Sequence, residues 1–177
     1  STINGLTINN NAYLTVNAGI LNVAGTITNN GSFDLRLGTL NLNGTAGTQN
    51  IAGSMFVNKT IMHLQNSNNT GIAIGAAAGD TLKITELLDF GSVTNSTINT
   101  GNNLTMVSSA AATASLGKIL NGNSVTGTAI VERWMPAGRK WRFLSILTNT
   151  IQTVKAAWQE GAATALDNPA PGYGTQI

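Results

Sequence analysis

Short units of apolar, polar and apolar residues recur along the first 45 residues, at positions 6–8, 14–16, 21–23, 33–35 and 40–42. Alternation with a period of two is typical of a β-strand that buries one face and exposes the other. The residues between the units are mostly Gly, Asn and Ser, which favour turns and tolerate positive φ angles. The pattern therefore predicts many short strands joined by tight turns, with no room for helices between them.

The units repeat with a spacing of 19 residues, which pairs Leu21 with Leu40 and Asn22 with Asn41. A β-sandwich also contains short strands, but its strands recur every 8–12 residues or so. A fixed repeat favours a parallel β-solenoid instead, in which about three strands make one coil and successive coils stack about 4.8 Å apart. We expect an all-β parallel solenoid in which Leu21 lies against Leu40 and the two amides form a ladder.

The repeat becomes less regular after residue 44, but similar units continue at 72–74, 82–84 and 104–106. The last two units are 22 residues apart, so we expect coils of about 19–22 residues. Between them, the spacing of Ile84, Leu87 and Leu88 indicates a short helical turn or a corner loop. The solenoid is predicted to cover residues 1–121.

The composition changes near residue 122, because all three Trp residues follow it. Residues 1–132 carry a net charge of −1 and residues 133–177 a net charge of +3. We predict a Trp-containing cap, or the start of a further β module, over residues 122–177, and we expect the whole to be a piece of a longer protein. Its apolar positions predict strands at 129–131 and 141–144 and one short helix with Ile151, Val154 and Trp158 on one face.

The overall composition excludes several classes of protein. The chain has no Cys and a single His, which excludes thiol enzymes, disulfide scaffolds and multi-His metal sites. Hydrophobic residues make up 42% of the chain and charged residues 9%, so we expect it to fold rather than to be disordered. We expect no cofactor, no bound metal, no nucleic-acid partner and no membrane span.

The segment at 131–145, VERWMPAGRKWRFLS, resembles a recurring segment of very large secreted surface proteins of the Bacteroidota. A short AWQEG helix at 157–161 and an NPAPGYGT loop at 168–175 follow in the same order as in those proteins. The resemblance implies a β-helical stalk, export by the type IX secretion route, display on the cell surface, and a role in adhesion or gliding. The sorting domain usual in those proteins is missing from this sequence, so the export route is an implication of the resemblance alone.

A basic and aromatic cluster lies within this segment. Two interpretations stay open: a patch that binds anionic or surface glycans by charge and ring stacking, or the packing of a hairpin in a junction module. The residues are Arg133, Trp134, Arg139, Lys140, Trp141 and Arg142.

Few side chains elsewhere suggest chemistry. Asp80, Glu86 and Asp89 are close in sequence and could meet on one corner as a calcium or acid–base site, as in polysaccharide-degrading β-helix enzymes. No two acids stack in the 19-residue spacing, so we expect no enzyme. His63 is expected to be a lone polar residue on the wet face of a strand. Thr81 follows Asp80 in an Asp-Thr-Leu pattern that resembles an O-glycosylation signal of the Bacteroidota.

The same spacing makes further pairs. It places Leu14 against Phe33 in the core, and Thr7 against Thr26 and Thr26 against Thr45 on the surface. A flat row of threonines could bind ice, but this row is one residue wide. We therefore do not predict an ice-binding surface.

The sequence predicts a non-enzymatic extracellular protein, a rigid β-helical stalk or filament segment for surface attachment or gliding. Its expected partners are further domains of the same long chain, or copies of itself joined end to end, and surface glycans. Two alternatives stay open: a carbohydrate-binding module on a secreted protein, and a polysaccharide-degrading β-helix enzyme.

Overall fold

The computed structural model describes residues 1–75 and 79–135, which form a parallel β-solenoid of about six turns. The predicted solenoid is confirmed and the sandwich is wrong, because every strand pair in these ranges is parallel. The strands are β1 Thr2–Ile3, β2 Leu6–Ile8, β3 Tyr13–Thr15, β4 Ile20–Val23, β5 Ile27–Asn29, β6 Ser32–Leu42, β7 Gln49–Ile51, β8 Thr60–Asn66, β9 Ile72–Ile74, β10 Leu82–Phe90, β11 Thr97–Asn99, β12 Leu104–Met106, β13 Ser115–Leu116, β14 Ser124–Thr126 and β15 Ile130–Val131.

The strands form parallel ladders along the stack of coils. The largest sheet runs in the order β1-β4-β6-β8-β10-β12-β15, with β3 added beside β6 and β13 beside β10. A separate face carries β2 and β5 at the start of the chain, and another carries β7, β9, β11 and β14 further along. Each strand therefore pairs with the equivalent strands of the coils before and after it.

The long strands β6 and β10 each turn a corner without leaving the strand. The register of β6 against β8 shifts between Leu35 and Thr39, and that of β10 against β8 shifts between Ile84 and Leu87. The helical turn or loop predicted near Ile84 and Leu88 is therefore wrong. The shift in the strand produces the same spacing of apolar residues that a helical turn would show.

A column of leucines fills the interior of the solenoid. Leu21, Leu40, Leu64 and Leu88 pair in register on four successive coils, and the last three are fully buried. The predicted contact of Leu21 with Leu40 is confirmed. So is the predicted pairing at Phe33, whose partner in β3 is Leu14.

Coil length increases along the chain. Leu40 follows Leu21 by 19 residues, Leu64 follows Leu40 by 24, and Leu116 follows Leu88 by 28. The predicted range of 19–22 residues holds for the first coils and is wrong for the later ones, because their corners contain inserted residues. Two such insertions are the 3-10 turns Gly53–Met55 and Val57–Lys59.

The surface threonines do not align as predicted. Thr7 pairs with Thr28, and Thr26 lies in the corner before β5, outside the strands. The corner before β5 holds three residues, 24–26, whereas the corner before β2 holds two, 4–5. This extra residue moves β5 out of the 19-residue spacing, so the predicted row through Thr26 and Thr45 is wrong.

The stacked coils continue past the predicted end of the stalk at residue 121. β14 pairs with β11 and β15 pairs with β12, and the compact unit spans Ser1–Met135. The strand predicted at 129–131 belongs to this stack as β15. The predicted strand at 141–144 and the predicted helix lie outside the described residues. No helix in the described part of the chain is long and apolar enough to cross a membrane.

Candidate functional site

Three polar side chains from successive coils form a line across the outer face of the main sheet. Thr39 of β6, His63 of β8 and Asp89 of β10 follow one another along the stack. The Thr39 hydroxyl lies 3.1 Å from His63 Nδ1, and His63 Nε2 lies 2.9 Å from an Asp89 carboxylate oxygen. Gln65 Nε2 donates to the other Asp89 oxygen at 3.4 Å.

The hydrogen-bond partners define the proton positions on the neutral imidazole. Asp89 can only accept, so His63 carries its proton on Nε2 and donates it to the carboxylate. Nδ1 then accepts from the Thr39 hydroxyl. This order matches a nucleophile, a base and an orienting acid. Thr39 is only 8% exposed, however, so the arrangement acts mainly as a bridge between three coils.

Sequence reasoning placed His63 correctly on the outer face but missed both of its partners. Thr39 precedes His63 by 24 residues and Asp89 follows it by 26, and neither separation matches the 19-residue spacing. The lengths of the intervening corners set these separations. The one available signal was the recurrence of polar residues on neighbouring strands.

The three acids predicted as a possible calcium or catalytic site are not brought together. Asp80 accepts from the backbone and the hydroxyl of Ser54 and lies 3.9 Å from the Lys59 ammonium. Asp89 faces His63, and Glu86 is exposed. No group of three His, Asp or Glu side chains within residues 1–75 and 79–135 could hold a metal ion.

Buried amides tie the coils together at one corner. Gln49 Nε2 donates to the carbonyls of Val23 and Gly25, each at 2.9 Å. Its Oε1 accepts from the backbone of Gly44 at 2.7 Å and from the Asn68 amide at 3.1 Å. One side chain thus satisfies backbone groups of the preceding coil and continues into the next.

The same corner continues through later coils. Asn66 Nδ2 donates to the Ser96 hydroxyl at 2.9 Å, and that hydroxyl donates to the Asn68 carbonyl at 2.6 Å. The Ser96 backbone donates to the Asn123 side chain at 2.9 Å. We call Gln49, Asn66, Asn68, Ser96 and Asn123 the corner amide network. Its hydrogen bonds explain why polar residues are buried inside an apolar solenoid.

The predicted amide ladder is also present on the outer face. Asn41 Nδ2 donates to Asn22 Oδ1 at 2.8 Å, and the two residues pair in register. Side-chain bonds between coils therefore occur both on the face and at the corner.

An exposed ion pair lies in the second coil. Arg36 donates to both carboxylate oxygens of Asp34, at 2.9 Å from Nε and 2.6 Å from Nη2, and its backbone N–H adds a bond at 3.0 Å. The side-chain hydrogen bond from Arg36 holds the pKa of Asp34 below its usual value, and the backbone bond lowers it further. Asp34 in turn raises the pKa of Arg36.

Only part of the predicted basic and aromatic cluster lies in the described residues. Trp134 is 48% exposed, and its backbone N–H donates to Ser108 Oγ at 2.9 Å. Arg133 donates to the carbonyl of Glu132. Four further members of the predicted site lie outside the described residues, namely Arg139, Lys140, Trp141 and Arg142.

The predicted glycosylation site at Thr81 stays a prediction. Thr81 is half-buried between Asp80, which is bound to Ser54, and the fully buried Leu82. The hydrogen bonds therefore give the acid of the pattern a structural role.

Comparison with known proteins adds no family to this geometry. No protein-family model, curated protein or solved structure matches the chain.

Proposed function

We propose that this chain is a segment of an extracellular surface protein, in which the solenoid is a rigid stalk that supports attachment or gliding. The observation that carries the proposal is the leucine column of Leu21, Leu40, Leu64 and Leu88, flanked on each coil by parallel ladders. Each coil contacts only its neighbours, so a rod of this kind lengthens by adding coils and does not depend on distant contacts.

Side-chain bonds between coils support a mechanical role. The His63 line, the Asn22–Asn41 ladder and the corner amide network connect coils at several positions around the cross-section. These bonds add to the backbone ladders, so bending or separating two coils breaks both kinds of bond. The low charge of the chain also leaves little electrostatic repulsion between stacked coils.

The ends of the solenoid support the proposed partners, which are further coils of a longer chain or copies joined end to end. Among the described residues, β15 pairs only with β12, and its Ile130 and Val131 are exposed. An apolar strand edge of this kind readily accepts another strand.

Immunogold labelling of the producing cells tests the location. An antibody raised against residues 108–133 is applied to intact and to lysed cells. The proposal predicts gold particles on intact cells, at a distance from the outer membrane. Label that appears only after lysis would contradict it.

A second candidate function is carbohydrate binding, and the exposure of Trp134 favours it. An indole face open to solvent can stack on a sugar ring. Titration with soluble glycans should then quench Trp emission in the native chain but less in Trp134→Phe. Equal quenching in both proteins would exclude Trp134 as the platform.

A further inference from the structure

A cleft of about 290 Å³ lies at one corner of the first two coils, where β3 ends and β6 bends. It is lined by Thr15, Val16, Asn17, Asp34, Arg36 and Leu37. It is distinct from the basic and aromatic cluster, from the His63 line and from the corner amide network. None of the roles described above uses it.

The polar side of the cleft has a defined geometry. Arg36 binds Asp34 with two side-chain hydrogen bonds, which holds both groups in fixed orientations. The guanidinium retains further N–H donors, and each carboxylate oxygen retains acceptor capacity. Thr15 and Asn17 add a hydroxyl and an amide on the same side of the corner. Donors and acceptors are thus fixed next to one another on a surface whose two charges cancel.

The apolar side consists of three exposed residues. Tyr13 is 83% exposed, Leu37 62% and Ile20 60%, which are the three highest values among the exposed large hydrophobic residues before residue 116 apart from none lying between them. Tyr13 and Thr15 lie two residues apart on one strand, so their side chains point to the same face, about 7 Å apart. The Tyr13 ring therefore lies next to the polar side of the cleft.

From this juxtaposition we infer that the cleft binds a neutral pyranose unit of a surface polysaccharide. The Tyr13 ring stacks on the C–H face of the sugar, while Arg36, Asp34 and Asn17 exchange hydrogen bonds with adjacent hydroxyl groups. An anion is disfavoured because the Asp34 carboxylate would face it. An added peptide strand is disfavoured because the backbones of β3 and β6 already pair with each other.

The inference rests on the adhesive part of the proposed function, for which it supplies a ligand class. It does not depend on the mechanical role of the solenoid. The location experiment and the binding experiment therefore fail separately: label on intact cells without sugar binding would leave the stalk intact and remove this site.

Saturation-transfer difference NMR on the full chain tests the site. The probes are methyl β-D-glucopyranoside, methyl β-D-galactopyranoside and methyl α-D-mannopyranoside. We expect transfer to the ring protons of at least one probe. Tyr13→Phe should keep it, whereas Tyr13→Ala should weaken binding about tenfold, which corresponds to roughly 1.4 kcal/mol. Arg36→Ala should also weaken binding.

Trp134→Ala is the matched control, because it removes a different exposed aromatic ring. Circular dichroism of each variant confirms that the solenoid is folded. Transfer that survives Trp134→Ala and is lost in Tyr13→Ala supports the cleft. Transfer to none of the three probes would overturn the inference, and so would transfer that is lost in Trp134→Ala but retained in Tyr13→Ala.

Discussion

His63 and Asp89 are joined by a hydrogen bond of 2.9 Å that crosses from one coil of the solenoid to the next. Both side chains are about one-fifth exposed, so the bond is partly shielded from water. On its other side, His63 is bound to Thr39 of the preceding coil. One imidazole thus connects three coils on the outer face of the sheet.

Removal of this connection should destabilise the solenoid. We expect His63→Ala to lower the free energy of unfolding by about 1–2 kcal/mol, because two hydrogen bonds between coils are lost. A double-mutant cycle with Asp89→Ala should show a coupling of about 0.5–2 kcal/mol. Urea denaturation provides the measurement. Additive effects of the two substitutions would show that the pair contributes nothing.

The corner amide network should be more sensitive than the outer face. Gln49 makes four hydrogen bonds and is buried, so Gln49→Ala should cost about 2–3 kcal/mol by leaving backbone carbonyls without partners. Gln65→Ala is the control, because that half-buried side chain makes one bond of 3.4 Å and its loss should cost less than about 0.5 kcal/mol. Equal losses in thermal denaturation would contradict this ranking.

Two glycines in equivalent corners should respond differently to a methyl group. A Cβ on Gly25 would overlap the backbone carbonyl of Asn4 in the coil before it, whereas one on Gly5 would lie 3.5 Å from the carbonyl of Thr26. We expect Gly25→Ala to destabilise the fold by about 1–3 kcal/mol. Gly5→Ala should be close to neutral in the same denaturation assay. A neutral Gly25→Ala would show that the corners are less closely stacked.

These contacts show what the sequence could and could not predict. The 19-residue spacing located the partners of Leu14, Leu21 and Asn22, because the corners of the first coils around those strands have matching total lengths. It failed for Thr7, where one corner is a residue longer than its equivalent. The register of a solenoid depends on corner lengths, and polar corner residues carry little periodic signal.

The same limit applies to the candidate site. Neither the line through His63 nor the corner amide network could be placed from spacing alone, since their members are separated by insertions of different length. The cleft beside Arg36 requires the bend inside β6, which the pattern of residues 33–42 does not reveal. Strand positions followed from alternation, whereas contacts between coils required the register.

Acid should weaken the contribution of the Asp34–Arg36 pair. Because Arg36 lowers the folded-state pKa of Asp34, the pair stabilises the fold fully above the unfolded-state pKa of about 3.9. This contribution is lost as the pH falls through the lower, folded-state pKa. Asp34→Asn should therefore be less stable than the native chain at pH 7 and indistinguishable from it below both values. A stability difference that does not change between pH 7 and pH 2 would contradict this linkage.

Cryo-electron microscopy of the native, full-length protein tests the stalk most directly. The account predicts straight rods with an axial repeat of about 4.8 Å, in which residues 1–135 form part of the shaft. Discrete compact particles, in which the solenoid is packed sideways against other domains and forms no shaft, would contradict it.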